Sequence, residues 1–100
     1  MTCRLDIRED ALADIEAAAI WYEEQQPGLG ADFARAVRRA INTLPANPLI
    51  HRLRDRRRNV RWVRPSRFPY RIIYRLRKEL ITVFAVIHAA RRDQHWKKRA

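Results

Sequence analysis

The stretch "RFPYRIIYR", residues 67–75, decides the fold. Side chains on a strand alternate with a period of two. Phe68, Tyr70, Ile72 and Tyr74 therefore share one face, and Arg67, Arg71 and Arg75 share the other, interrupted by Pro69 and Ile73. The first face demands a core, and Tyr70 and Tyr74 are assigned to it. The second carries guanidinium groups that ask for solvent or a partner. Pro69 has no N–H to give and belongs at an edge or a bulge.

On either side the same logic holds. "LITVFAVIH" (80–88) is apolar on both alternating sets, Ile81, Val83, Ala85 and Ile87 against Leu80, Thr82, Phe84 and Val86, which predicts a central strand covered on both faces. "NVRWVR" (59–64) puts Val60 and Trp62 on one face and Arg61 and Val63 on the other. Turns at "PS" (65–66) and near "RKE" (77–79) join the three into an antiparallel meander. The connector "LIHRLRDRRR" (49–58) reads as a basic loop, and the tail "AARRDQHWKKRA" (89–100) as a single helical turn.

Upstream, "TCRLDI" alternates Cys3, Leu5 and Ile7 against polar neighbours and reads as a first strand. Glu9 and Asp10 suit a helix N-terminus. Leu12, Ile15, Ala19 and Tyr22 form a stripe at helical spacing, "PGLG" (27–30) stops that helix, and Phe33, Val37, Ile41 and Leu44 mark a second one ending before "PANP" (45–48). The expected fold is α+β: an N-terminal strand, an antiparallel helix hairpin, and a three-stranded antiparallel meander, with the helices on one sheet face. The opposite face is expected to gather the arginines and turn them outward.

Charge separates along the chain. Of 100 residues, the first 50 balance at −3 and the last 50 at +14, and 14 of the 17 cations in the second half are arginine, whose planar fork suits phosphate or carboxylate. Such segregation points to nucleic acid or an acidic protein partner. Length bounds the chain to a single domain over residues 1–100. No apolar run is long enough to cross a bilayer and the first residues lack signal-peptide order, so a cytoplasmic location without membrane contact is expected. His51, His88 and His95 have no metal-finger spacing, Gly28 and Gly30 make no phosphate loop, and Ser66 is the lone serine, so no metal, cofactor or serine triad is expected. Cys3 reads as a small buried hydrophobe.

What remains chemically open is attack of an RNA 2′-hydroxyl on its own phosphate, which needs a base, a cation and an acid. Arg71, Arg92 and Arg61 could supply charge and His88 the proton transfer, although its place at the end of an apolar strand also reads as a hydrogen-bonded structural histidine; as a catalytic set these are Arg71, Arg92 and His88. As a binding surface the candidates are Arg61, Arg64, Arg67, Arg71, Arg75, Arg91, Arg92, Trp96 and Lys97. Trp62 is read as core, and Trp96 either as core or as a stacking platform for a base.

The chain resembles a family. "ALADIEAAAIWYEEQQPGLGADFARAV", "RFPYRIIYR" and "ITVFAVIHAARRDQHWKKR" are similar to the RelE/ParE superfamily of toxins of bacterial type II toxin–antitoxin systems, often called plasmid stabilisation proteins, from about residue 3 to residue 99. That resemblance implies an α+β toxin domain and a cognate antitoxin whose extended, acidic segment covers the basic face, giving a hetero-oligomer. RelE-like members cut messenger RNA on the ribosome. Arg71 and Arg92 match two of their basic residues and Arg61 or Arg64 can stand for others, but their C-terminal tyrosine is replaced here by Trp96 and Lys97. ParE-like members inhibit DNA gyrase, and "EEQQPGLGADF" together with "FPYRIIY" and "VIHAARR" looks more like them. The resemblance therefore implies a ParE-like gyrase inhibitor, with a RelE-like nuclease as the alternative and a non-toxic nucleic-acid-binding domain as the third reading.

Overall fold

In the computed structural model, which describes residues 3–100, the first strand β1 (Arg4–Ile7) leads into a helix hairpin, α1 (Glu9–Gln25) and α2 (Leu29–Asn42). Four strands follow, β2 (Leu53–Asp55), β3 (Val60–Val63), β4 (Tyr70–Arg77) and β5 (Leu80–His88), and a single helical turn, α3 (Gln94–Lys97), closes the chain. The sheet order is β1-β5-β4-β3-β2. β5 lies next to centre, parallel to β1 and antiparallel to β4, and the meander β3-β4-β5 is as expected. The connector is not all loop: Leu53 and Asp55 pair with β3 and add a fifth strand.

The helix hairpin forms because its turn is chemically closed. Gly28 takes φ 90°, a left-handed conformation that costs glycine little. The Glu23 carboxylate then reaches from α1 to accept the N–H groups of Gly28 at 2.9 Å and Gly30 at 3.0 Å, satisfying donors that α2 leaves unpaired at its start. A Cβ on Gly30 would lie 2.5 Å from the Ala19 carbonyl, whereas one on Gly28 meets nothing. Gly30→Ala is expected to destabilise by about 1–3 kcal/mol, because the new methyl group meets the α1 backbone, which cannot give way cheaply. Gly28→Ala, which carries only left-handed strain, should cost about 1–2 kcal/mol. Denaturant midpoints of the two variants measure the difference.

Two clusters, not one, hold the sheet. The larger lies under the helices and joins Phe33, Val37, Ile41 and Leu44 of the second half of the hairpin to Ile72, Tyr74, Ile81, Val83 and Val86 of the sheet. Tyr74 is fully buried and its hydroxyl donates to the Pro48 carbonyl at 2.7 Å; burial pushes this phenol up to about 12. The smaller cluster is on the opposite face: Val60, Ile73, Phe84, Ala85 and Ile87, sealed by Trp96 from α3. Alternation alone predicts a cationic surface open to solvent there. The face is instead partly a second apolar core.

The strict alternation expected for β5 also fails at one point. Ile73 pairs with Ala85 and Tyr74 with Val83, so Phe84 is an extra residue, a β-bulge. The bulge shifts the phase. Ile81, Val83 and Val86 face the helices, while Phe84, Ala85 and Ile87 face α3. No helix among the described residues is long and apolar enough to cross a membrane.

Candidate functional site

The arginine row of 67, 71 and 75 does not survive as a row. Arg67 precedes β4 in a left-handed conformation, φ 76°, with its guanidinium over the Phe68 ring and 4.0 Å from the Asp32 carboxylate. Arg75 remains on the second face, half-buried 5.6 Å above the Phe84 ring; burial first, then Arg77 and Arg8, holds its pKa below the ordinary value. Arg61 projects to the helix side and donates to the His51 carbonyl at 2.7 Å. Burial and then that guanidinium depress the His51 pKa.

Arg71 is the centre of the second face, and it is a buried residue with its side chain only 7% exposed. Its guanidinium donates to Asp93 at 3.0 Å and to the Arg91 carbonyl at 2.7 Å, and stacks 4.8 Å from the Trp62 ring. Arg54 stacks on the same indole at 4.6 Å. Asp93 also accepts from the Trp96 indole N–H at 3.3 Å, so the tail is tied to β4 through one carboxylate. The hydrogen bond from Arg71, ahead of the other causes, holds the Asp93 pKa below the ordinary carboxylate range. The Arg71 Nε is buried without a partner.

Trp96 is 1% exposed and is core, not a stacking platform. Arg64, Arg91, Arg92 and Lys97 are exposed, the last with its ammonium 5.8 Å from the Trp96 ring. The candidate nuclease set is pulled apart. Arg71 pairs in register with Ile87 and points to the α3 side, whereas Tyr70 pairs with His88 and both point to the helix side, their rings 5.3 Å apart. The His88 Nδ1 accepts the Ala90 N–H at 3.0 Å, a local structural bond.

The site that sequence reasoning missed is on the helix side. A groove of about 680 Å³ opens between α1 and the residues after β5, with the end of β5 as its floor. Asp14 and Arg99 bridge it, at 2.6 and 3.2 Å, and Asp14 also accepts the Val86 N–H at 2.9 Å. The hydrogen bond from Arg99 to Asp14 and the charge of that acid raise the Arg99 pKa against the opposing effect of burial. Tyr22 and Tyr70 line the groove with pKa values raised by burial. Asp14 lies three residues after Ala11 and four before Ala18, both buried, on a face turned one position from the Leu12, Ile15 and Ala19 of the stripe read from sequence, so that reading passes over it. Among the described residues, no group of three or more His, Cys, Asp and Glu is placed to hold a metal.

Residues 5–93 match the family described as the ParE toxin of type II toxin–antitoxin systems, parDE. Solved structures share the fold at low identity. The chromosomal ParDE system of P. aeruginosa superposes with a TM-score of 0.76 at 19% identity, covering 87% of this chain and 96% of that one. A mutant of E. coli toxin RelE in the free state gives 0.68 at 18% identity, with 90% and 86% covered. The toxin–antitoxin complex RelBE2 of Mycobacterium tuberculosis gives 0.58 at 21% identity, with 88% and 99% covered. No curated protein matches the chain.

Proposed function

Because the chain belongs to the ParE toxin family of type II toxin–antitoxin systems, we propose that it arrests bacterial growth in the cytoplasm by acting on DNA gyrase as a binding inhibitor, and that a cognate antitoxin neutralises it in a hetero-oligomer. The observation that carries this reading over messenger cleavage is the division of the nuclease candidates between two sheet faces. A general acid or base must reach the proton that it moves within hydrogen-bond distance, in a site that also holds the phosphate. Arg71 and His88 back onto opposite sides of the sheet, and each has a structural partner, the Asp93 carboxylate for the Arg71 guanidinium and the Ala90 N–H for the His88 Nδ1. The exposed cations Arg64, Arg67, Arg91, Arg92 and Lys97 are the proposed contacts to the target or the antitoxin. Arg71 and Trp96 are assigned to holding the tail.

Induced expression tests the proposal. Growth should stop, plasmid DNA should lose negative supercoiling, and messenger RNA should stay intact. Arg64→Ala with Arg92→Ala should weaken gyrase inhibition several-fold while leaving the unfolding temperature unchanged, since both side chains are exposed. Messenger cuts at ribosome-bound codons with supercoiling unaltered would establish the RelE-like alternative instead.

A further inference from the structure

Half of the second face lies bare. Trp96 and α3 seal the part of it formed by Ile73, Phe84, Ala85 and Ile87. On the other half the strand registers fix what projects. Arg4 and Arg77 lie on either side of Leu80, and Asp6 and Arg75 on either side of Thr82. Their chain neighbours Leu5, Ile7, Leu76, Ile81 and Val83 belong to the core under the helices, so these six side chains stand on the opposite face. Arg8 follows β1, its N–H donating to the Val83 carbonyl at 2.9 Å and its guanidinium to the Arg99 carbonyl at 3.2 Å.

Arg75 is the cation here that the domain leaves without a counter-charge. Arg71 holds Asp93, and the partly buried Arg99 holds Asp14. Arg75 is half-buried too, its guanidinium 5.6 Å above the Phe84 ring, yet among the described residues it makes neither a hydrogen bond nor an ion pair. The charges acting on it are those of Arg77 and Arg8, which add to burial in holding its pKa down. Asp6, the one acid among the six, stands two strands away, about 10 Å by the spacing of strands. A cation taken partly out of water with no acid beside it costs stability, and an anion from outside would offset that cost.

We propose that Arg75, Arg77 and the Thr82 hydroxyl form a binding site for a phosphate group, with Arg4 and Arg8 at its rim. Side chains two apart on a strand stand about 7 Å apart, and those directly across a strand pair about 5 Å. A single tetrahedral anion above Thr82 therefore meets both guanidinium forks and the hydroxyl. Planar forks bond phosphate oxygens two at a time, which strengthens and orients the contact. Other occupants fit less well. At Thr82 and Arg75 both strands are already paired on both sides, so no strand of a partner can be added. The large apolar side chains that are exposed, Leu12, Ile20, Trp21, Leu49 and Ile50, lie on α1 and in the connector before β2, which leaves a protein partner no anchor on this face. Phe84 is fully buried, so this half offers a base no ring to stack on, and the site reads phosphate alone. The site does not depend on the toxin reading: none of the cations assigned above to the target or the antitoxin takes part.

Phosphate arrives either on a free ester such as a nucleotide or on a polynucleotide backbone. The test uses the full chain labelled with ¹⁵N at fixed ionic strength, with pyrophosphate, ATP and a short DNA duplex as probes. Pyrophosphate should shift the amides of Arg75, Arg77 and Thr82 and saturate, while those of Arg91 and Lys97 stay in place. Arg75→Gln should weaken its binding at least tenfold and Thr82→Val several-fold. Asp6→Asn, which lifts an opposing charge from an exposed position, should tighten it several-fold. ATP binding as tightly as pyrophosphate, with the duplex weaker, makes the source a free ester. A duplex that binds tighter and displaces pyrophosphate from the same amides makes it a polynucleotide; either result keeps the site. The proposal is overturned if the shifts spread over the exposed cations without saturating, if glutarate shifts the same amides as strongly, or if Arg75→Gln binds pyrophosphate as the native chain does. Should Arg75→Gln not fold, Asp6→Asn decides, and unchanged or weaker binding ends the proposal.

Discussion

Trp96→Ala is expected to destabilise the domain by about 3–5 kcal/mol, the range for deleting a large buried aromatic side chain. Trp96 stands on a helix of four residues, far too short to form by itself, so its packing creates the element and not the reverse. Its indole lies 6.4 Å from the Phe84 ring and 6.3 Å from that of Trp62, and its N–H donates to Asp93. Removing it should therefore release the tail as a unit and bare Val60, Ile73, Ala85 and Ile87. Two measurements read this out: a lower denaturant midpoint, and binding of an apolar dye by the otherwise native variant. Trp96→Phe should recover most of the loss, because the cavity is largely refilled and only the bond to Asp93 is missing. A cost below about 1 kcal/mol, the scale of an ordinary surface change, would show that the second face needs no cover.

The second helix is legible in the sequence because its stripe of Phe33, Val37, Ile41 and Leu44 is buried as read, and "PGLG" can hardly be anything but a break. The stripe of α1 is misread at Leu12, which is 51% exposed while Ala11 and Ala18 are buried, because an Ala-rich helix with Ile20 and Trp21 on its outer side has no single apolar face. The sheet side of the fold is legible at the start of β4, where Tyr70, Arg71 and Ile72 alternate apolar with cationic, and in the short apolar run of β3 between its turns. β5 is not. With both sets apolar, a one-residue shift of phase leaves the pattern unchanged, so the bulge at Phe84 leaves no trace in hydropathy. The site suffers a related blindness. Alternation places Arg71 on the second face and is silent on whether that face is covered; the cover comes from Trp96 and Asp93, more than twenty residues later, in a tail too short to carry any period. Arg61 shows the opposite failure. Alternation sets it correctly on the face opposite Trp62, yet that is the helix side, so it does not join the outward arginines of the other. β2 escapes because Leu53 is the lone apolar residue in a run of charges.

Asp93→Ala should destabilise the domain more than Arg71→Met, although the two residues form one ion pair. The asymmetry follows from where each charge sits. The guanidinium side chain is 7% exposed and the carboxylate 50% exposed. Removing the acid strands a desolvated cation, a loss that reaches about 3–5 kcal/mol for a fully buried pair. Partial exposure of Asp93 screens the interaction, so about 2 kcal/mol is expected here. Removing the arginine instead leaves a carboxylate that water already reaches, and methionine keeps most of the volume against Trp62 while exchanging a cation–π contact for a sulfur–aromatic one, so the net cost should stay within about 1 kcal/mol. The acid dependence supplies an independent check. The Asp93 pKa is depressed in the folded chain, so its stabilisation is complete above the ordinary aspartate value near 3.9 and is lost as pH falls through the lower, folded value. The stability gap between the native chain and Asp93→Ala should thus be constant from about pH 5 upward and close in acid. Equal costs for the two substitutions, or a gap that stays unchanged in acid, would mean that Asp93 is a solvated surface charge and that Arg71 is held by its indole and the Arg91 carbonyl alone.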